Sequence, residues 1–102
     1  MAYRLKFSSR ALREMGEARE WYEMQSSGLG DEFLAVVELQ VRRLEHAPML
    51  YTEVLPGVRR TLLARFPYSL FYAVKGDIVH ILAVLHEARN PKGWPKGSQI
   101  LK

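Results

Sequence analysis

Residues 68–86 read YSLFYAVKGDIVHILAVLH, and this stretch decides the fold. Tyr68–Val74 is rich in aromatic and β-branched residues, which favour a strand. Lys75-Gly76-Asp77 then predicts a tight hairpin turn. Ile78–His86 is apolar at positions that would face both sides of a sheet, so we expect it to be a central strand. The stretch therefore predicts an antiparallel hairpin in the middle of a sheet.

Further strands and a connector precede this hairpin. Val58–Phe66 (VRRTLLARF) predicts a strand, and Pro67 marks a bend or turn before the next one. Met49–Gly57 is predicted to be a connector, because Pro56-Gly57 forms a turn at its end. At the start of the chain, Tyr3–Phe7 alternates between apolar and basic side chains. This period of two indicates a strand with one buried face.

Two helices occupy the sequence between the first strand and the connector. The first is predicted from about Arg10 to Gln25, and the second from near Leu29 to the stop at Pro48. Apolar residues at intervals of three and four mark one buried face on each helix. These faces comprise Ala11, Met15, Ala18 and Tyr22 on the first helix, and Phe33, Leu34, Val37, Val41 and Leu44 on the second. Gly16 costs the first helix about 1 kcal/mol relative to Ala, so we expect a tight packing contact there.

The order of elements is β-α-α-β-β-β, which indicates an α+β fold. The short linker Ser26-Ser27-Gly28 makes the helices an antiparallel hairpin. This helical hairpin would cover one face of a small, mainly antiparallel sheet. The 102 residues form a single domain over residues 1–102. From about residue 90, prolines and glycines predict an irregular basic tail.

Composition and charge limit the possible functions. The chain has no Cys, which excludes a disulfide scaffold, a thiolate nucleophile and a cysteine zinc site. Residues 1–54 carry a net charge of −2 and residues 55–102 a net charge of +6. This localised positive charge predicts an anionic partner, either nucleic acid or an acidic protein segment. We find no targeting or membrane-spanning stretch and expect a cytoplasmic protein.

No general catalytic motif is present, and the three His are too far apart in sequence to predict a metal site. Basic residues are the clearest candidates for function. Arg59, Arg60 and Arg65 lie on or beside one strand, and Arg89 and Lys92 follow the last strand. Arg59 and Arg60 point to opposite faces of the strand. We expect the open face opposite the helices to gather arginines from this strand and from the tail, which could bind phosphates or acidic side chains. The alternative is a set of solvated arginines at the edges of the sheet.

Three runs of residues carry a family resemblance. They are EAREWYEMQSSGLGDEF (Glu17–Phe33), VRRTLLARFPYSLFY (Val58–Tyr72) and ILAVLHEARNP (Ile81–Pro91). Together they resemble the RelE/ParE superfamily of toxins from type II toxin–antitoxin modules, over roughly Tyr3 to Trp94. The resemblance implies the β-α-α-β-β-β fold and a cytoplasmic toxin. It also implies a cognate antitoxin whose largely disordered segment folds onto the toxin.

This superfamily divides in mechanism. RelE-like members cleave mRNA on the ribosome without a metal, whereas ParE-like members inhibit DNA gyrase and are not nucleases. RelE-like toxins typically carry an arginine in a Y-R-x-x-Y stretch and a tyrosine in the C-terminal segment. Here Tyr68–Tyr72 has Ser69 at the arginine position, and the C-terminal aromatic residue is Trp94. These departures favour ParE-like inhibition of gyrase over the RelE-like alternative.

The resemblance and the charge pattern predict two sets of site residues. If the chain is RelE-like, Arg60, His86 and Arg89 are the catalytic candidates, with His86 as general acid or base. The predicted partner-binding residues are Trp21, Met24, Arg59, Arg65 and Lys92. Trp21 and Met24 lie off the main apolar stripe of the first helix and are candidates for exposed apolar contacts; packing in the core is the alternative. Neither activity requires a cofactor or a metal. A nucleic-acid-binding module without toxin activity is the third reading.

Overall fold

The computed structural model describes residues 2–88 and Pro95. The elements in this part of the chain are β1 (Arg4–Phe7), α1 (Ser9–Gln25), α2 (Leu29–His46), a short 3-10 helix (Pro48–Leu50), β2 (Glu53–Leu55), β3 (Val58–Leu62), β4 (Tyr68–Lys75) and β5 (Ile78–His86). The strands form one sheet in the order β1-β5-β4-β3-β2. β1 pairs with β5 in parallel, and the other neighbours are antiparallel. The predicted α+β fold is confirmed.

The hairpin of β4 and β5 forms the middle of this sheet. Its turn contains Gly76, whose φ of 60° is accessible to glycine without steric cost. Phe71 is opposite Ala83, but Tyr72 is opposite Ile81, so Leu82 is an extra residue in β5. Such a bulge changes which residues face each side of the sheet. After the bulge, Val84 rather than Ala83 faces the helices.

Local hydrogen bonds define where the helices begin. The Ser8 hydroxyl accepts a hydrogen bond from the Ala11 N–H at 2.9 Å and so caps α1. Gly28, with a φ of 88°, reverses the chain ahead of α2. The carboxylate of Glu23 accepts hydrogen bonds from the N–H groups of Gly28 and Gly30, both at 3.0 Å. A negative charge at this helix N-terminus is favoured by the helix dipole.

The expected tight contact at Gly16 is wrong, because a Cβ at Gly16 would meet nothing within 4 Å. The close approach is at Gly30 instead. A Cβ there would lie 2.7 Å from the carbonyl oxygen of Arg19, so α2 can pack against α1 only with glycine at this position. The contact between the helices therefore requires glycine at position 30 in α2 rather than at position 16 in α1.

The two faces of the sheet carry separate apolar clusters. The larger one joins the sheet to the helices and includes Phe33, Tyr68 and Tyr72. Within it, the rings of Phe33 and Tyr68 pack edge to face at 5.3 Å. The second cluster is on the opposite face and consists of Val58, Phe71, Ala83 and Leu85, all buried. The prediction that this face is open is therefore wrong. Arg60 lies on this face, as predicted, and the tail residues Arg89 and Lys92 lie outside the described residues.

The region before β3 is more ordered than predicted. The expected connector contains the 3-10 helix and the short strand β2, which lies at one edge of the sheet. β3 is shorter than predicted, because it ends at Leu62 rather than Phe66. No helix in the described residues is long and apolar enough to cross a membrane.

Candidate functional site

Arg60 and His86 lie on opposite faces of the sheet. Arg60 is paired with Phe71, which belongs to the cluster on the face away from the helices. His86 is paired with Tyr68, which faces the helices. Directly paired residues of antiparallel strands point to the same face. The structure therefore does not bring these two catalytic candidates together, and Arg89 lies outside the described residues.

His86 lines a groove between α1 and the end of β5. The other side chains in this groove include Glu14, Glu17, Trp21 and Tyr68. The imidazole packs against the Tyr68 ring, with centroids 5.2 Å apart, and its Nδ1 accepts a hydrogen bond from the Ala88 N–H at 3.1 Å. This hydrogen bond links the imidazole to the turn after β5.

Ser69 is on the face opposite the helices, and it is buried. Its hydroxyl has no hydrogen-bond partner in the described structure. A serine at this position, next to Phe71 on β4, cannot provide a cation to a phosphate. The polar group at the site where RelE-like toxins carry an arginine is thus a buried neutral hydroxyl.

The Arg59 side chain has a structural role in the fold. Its guanidinium donates hydrogen bonds to the carbonyl oxygens of Tyr51, at 2.5 Å, and Met49, at 3.4 Å. On the paired residue of β4, the buried Tyr72 hydroxyl donates to the carbonyl oxygen of Pro48 at 2.5 Å. Burial raises the pKa of the Tyr72 hydroxyl to about 12. Arg59 and Tyr72 together hold the segment between α2 and β2 against the sheet.

Arg65 is exposed in the turn after β3. Its backbone adopts a φ of 68°, which is unusual for a residue with a side chain. The guanidinium pairs with Glu32 of α2 at 3.0 Å and lies 5.4 Å from the centre of the Phe66 ring. Arg65 therefore sits near the start of α2 rather than beside Arg60.

Trp21 and Met24 form an exposed apolar surface on α1, as their position off the buried face predicted. Trp21 is 49% exposed and Met24 is 83% exposed. The Trp21 ring packs edge to face against Tyr22 at 5.1 Å, so the indole is held while part of it faces solvent. Large apolar side chains held at the surface are typical of protein contacts. Lys92, the last predicted partner residue, lies outside the described part of the chain.

A second groove, which was not predicted from the sequence, lies beside the edge of β3. It is lined by residues of α2, the 3-10 helix and β3, including Arg43, Leu50, Arg60 and Leu62. Leu50 and Leu62 are 76% and 52% exposed. The sequence of β3 could not reveal this groove, because the groove depends on where β2 ends.

In the described residues, no group of three or more His, Asp or Glu side chains could hold a metal ion. The first groove offers carboxylates, an imidazole and aromatic rings, and the second offers leucines and guanidinium groups. These groups bind macromolecular surfaces through apolar burial and charge pairing.

A family model described as the ParE toxin of the type II toxin–antitoxin system parDE matches residues 5–91. The chain belongs to the ParE toxin family. The match spans nearly all of β1 and every helix and strand up to the end of β5. The expected membership of the RelE/ParE superfamily is confirmed, and this ParE-family chain is the toxin type of a toxin–antitoxin system. No curated protein matches the sequence.

Solved structures of both branches of the superfamily share the fold of this ParE-family chain. A free mutant of the E. coli toxin RelE is 19% identical with a TM-score of 0.69, covering 100% of both chains. A chain of the chromosomal ParDE system from P. aeruginosa is 22% identical with a TM-score of 0.61, covering 83% of this chain and 96% of that one. A chain of the RelBE2 toxin–antitoxin complex from Mycobacterium tuberculosis is 23% identical with a TM-score of 0.60, covering 84% and 99%.

Proposed function

We propose that this toxin is neutralised by a cognate antitoxin and acts in the ParE-like way, by binding and inhibiting DNA gyrase without cleaving nucleic acid. The family match supports the toxin and its pairing with an antitoxin. Two of the similar structures are named as toxin–antitoxin systems or complexes, which further supports such a partner. The choice of target rests on the residues of the sheet.

The proposal that the target is gyrase rather than mRNA depends on the separation of Arg60 from His86. A metal-independent nuclease stabilises the charge that develops on one phosphate, so its basic groups must converge on that phosphate. Here Arg60 and His86 are on opposite faces of the sheet. Ser69 and Phe71, which face the same side as Arg60, are buried and uncharged. The described residues thus support a protein-binding toxin.

The surface of α1 supports recognition by protein partners. Trp21 and Met24 offer apolar area, and the rigid indole loses little conformational entropy when it is covered. Arg65 lies exposed on a different element. In this proposal Trp21 and Met24 contact the antitoxin, and Arg65 pairs with its acidic side chains, with Lys92 as a further basic contact. Arg59 contributes by holding the chain around the second groove rather than by touching the partner.

A supercoiling assay with purified gyrase tests the proposal. We expect the purified toxin to reduce the supercoiling of relaxed plasmid, and we expect addition of the protein encoded by the adjacent gene to restore it. Toxin that has been unfolded by heat and cleared of aggregates is the control. Full supercoiling in the presence of a large excess of folded toxin would contradict gyrase as the target.

A second assay addresses the RelE-like alternative. Ribosomes programmed with a defined mRNA should show no cleavage in the A site when the same toxin preparation is added. If cleavage is seen and His86→Ala or Arg89→Ala abolishes it, the chain is an endoribonuclease and the ParE-like proposal is wrong. Both assays use the same protein sample, so inhibition of gyrase shows that the toxin added to the ribosomes is folded.

A further inference from the structure

The groove between α1 and the end of β5 differs in charge from the basic half of the chain. It has a volume of about 300 Å³, and its α1 wall carries Glu14, Glu17 and Trp21. These residues follow one another at intervals of three and four, so they lie on one face of the helix. The volume equals that of about ten water molecules, which is enough for one long side chain but not for a strand or a helix.

The two carboxylates of this groove differ in what they contact. Glu14 is only 14% exposed, and its oxygens accept hydrogen bonds from the Arg10 side chain at 3.1 Å and from the Val84 N–H at 3.0 Å. Glu17 is exposed, and within the described residues it has no hydrogen bond and no ion pair. The negative charge of Glu17 is therefore available to a partner.

Trp21 lies one turn of α1 beyond Glu17 and offers an aromatic ring. Its side chain is 49% exposed and packs edge to face against Tyr22 at 5.1 Å. The face of an indole attracts a lysine or arginine cation, and a carboxylate beside it adds to this attraction. Ala18 and Val84 also line the groove and supply apolar contact for the methylene groups of such a side chain. The groove is therefore complementary to a long cationic side chain.

Charge also distinguishes among the proteins that could supply this cation. The antitoxin segment expected on the basic half of the toxin is acidic, so Glu17 would repel its carboxylates. A second copy of this chain carries the same net charge of +4, which opposes association of the two copies. Gyrase acts on DNA, and a surface that binds the DNA backbone presents lysine and arginine side chains. Among these proteins, gyrase has the charge that matches the groove.

We infer that Glu17 and Trp21 bind a lysine or arginine side chain from a DNA-binding surface of gyrase. The inference rests on the proposed function, because it assumes that gyrase is the target. The cationic group pairs with the Glu17 carboxylate and lies against the Trp21 ring, and its methylene groups enter the groove between α1 and β5. Trp21 is also a proposed antitoxin contact, so an antitoxin that covers the indole would exclude gyrase from this groove.

The supercoiling assay with substitutions at Glu17 tests the inference. Glu17→Lys reverses the charge that attracts the cation, and we expect the toxin concentration for half-inhibition to rise about tenfold or more. Glu17→Gln removes the charge only and should raise this concentration about threefold. Glu38→Lys is the matched control, because Glu38 is an exposed residue of α2 outside the groove and the change in net charge is the same. This control should stay within about twofold of the native toxin.

Substitutions at Trp21 provide a second measurement. Trp21→Ala is expected to weaken inhibition about tenfold, and Trp21→Phe less, because the phenyl ring keeps part of the attraction for a cation. Circular dichroism checks that each variant is folded. The variants at Glu17 change an exposed side chain, so they test the inference even if Trp21→Ala does not fold.

The outcomes separate this inference from the proposed function. If the native toxin inhibits gyrase but Glu17→Lys and Glu38→Lys inhibit it equally, the groove does not bind gyrase and the proposed function stands. The same conclusion follows if Glu17→Lys weakens only the binding of the adjacent protein, or only self-association measured by analytical ultracentrifugation. If the native toxin does not inhibit gyrase, the proposed function fails and this inference fails with it.

Discussion

The two inner strands β5 and β3 each extend past a short neighbour, and the chain treats these two extensions differently. Beyond β1, the Ser8 hydroxyl donates to the Leu82 carbonyl oxygen at 3.0 Å, and Glu14 of α1 accepts from the Val84 N–H at 3.0 Å. Beyond β2, Leu62 at the end of β3 lies beside the second groove. Unpaired strand edges promote association with other chains. The comparison indicates that side chains close the edge of β5, whereas the end of β3 borders a groove.

The largest effect is expected at Glu14, the residue that closes the β5 edge. Glu14→Leu leaves the Val84 N–H without its acceptor, so we expect it to lower the free energy of unfolding by about 1–3 kcal/mol. Glu14→Gln keeps an acceptor oxygen and should cost less. Urea denaturation measures both variants, with the exposed Glu17→Leu as the control.

Glu14→Leu also tests whether Glu14 protects this edge of β5 from pairing with another chain. Analytical ultracentrifugation should show more self-association than for Glu14→Gln, because a new length of strand edge is exposed. A Glu14→Leu variant that is monomeric and as stable as the native chain would remove the contrast between the two edges.

A smaller effect is expected at Tyr72, whose hydrogen bond to Pro48 holds the segment that leads into β2. Tyr72→Phe removes the hydrogen bond to Pro48 and should lower the free energy of unfolding by about 0.5–1.5 kcal/mol. It should also speed amide exchange at Arg60, whose N–H is bonded to Thr52. Unchanged exchange at Arg60 would show that β2 is held without this tyrosine.

The pKa of Tyr72 adds a dependence on pH. Burial in the folded chain raises it to about 12 from its ordinary value of 10.0, so folding favours the protonated hydroxyl. The stability from this preference is fully present below pH 10 and is lost as the pH rises toward 12. The native chain should therefore lose more stability than Tyr72→Phe between pH 9 and pH 12. Parallel slopes for the two proteins would contradict this assignment.

The smallest effect is expected at the ion pair between Arg4 of β1 and Asp77 of the hairpin turn. Its atoms are 3.3 Å apart, and both side chains are more than 70% exposed. Exposed pairs of this kind contribute about 0–1 kcal/mol. Arg4→Ala should therefore change the denaturation midpoint much less than Glu14→Leu does. An equal change would mean that the exposed ion pair stabilises this side of the sheet as much as the partly buried carboxylate of Glu14 does.

Much of the fold could be predicted because the pattern of apolar residues depends on local periodicity. The boundaries of β5 and the end of α1 follow from runs that are apolar on the expected faces. β2 could not be predicted, because three residues are too few to show a period. Its strand conformation comes from pairing with β3 and from contacts such as that between Arg59 and Tyr51.

The site was less predictable, because contacts between distant elements rather than local periodicity bring its residues together. The exposure of Trp21 and Met24 follows from their angle on α1 and was predicted correctly. The contacts of Arg59 and Arg65 could not be predicted, because Arg59 turns to backbone carbonyls and Arg65 lies in a turn near α2. The groove at the β3 edge requires knowledge of how far β2 extends. The predicted nuclease and partner roles of individual residues stay predictions.

The extra residue Leu82 also governs how relatives can be compared with this chain. Before it, odd-numbered residues of β5 such as Ile81 face the helices, and after it the even-numbered Val84 and His86 do. If a relative without the bulge is aligned with this strand without a gap at Leu82, every later residue of that relative is matched to one that points to the other face. Functional residues can therefore be matched across divergent toxins only when the alignment counts from the bulge, even where the letters agree.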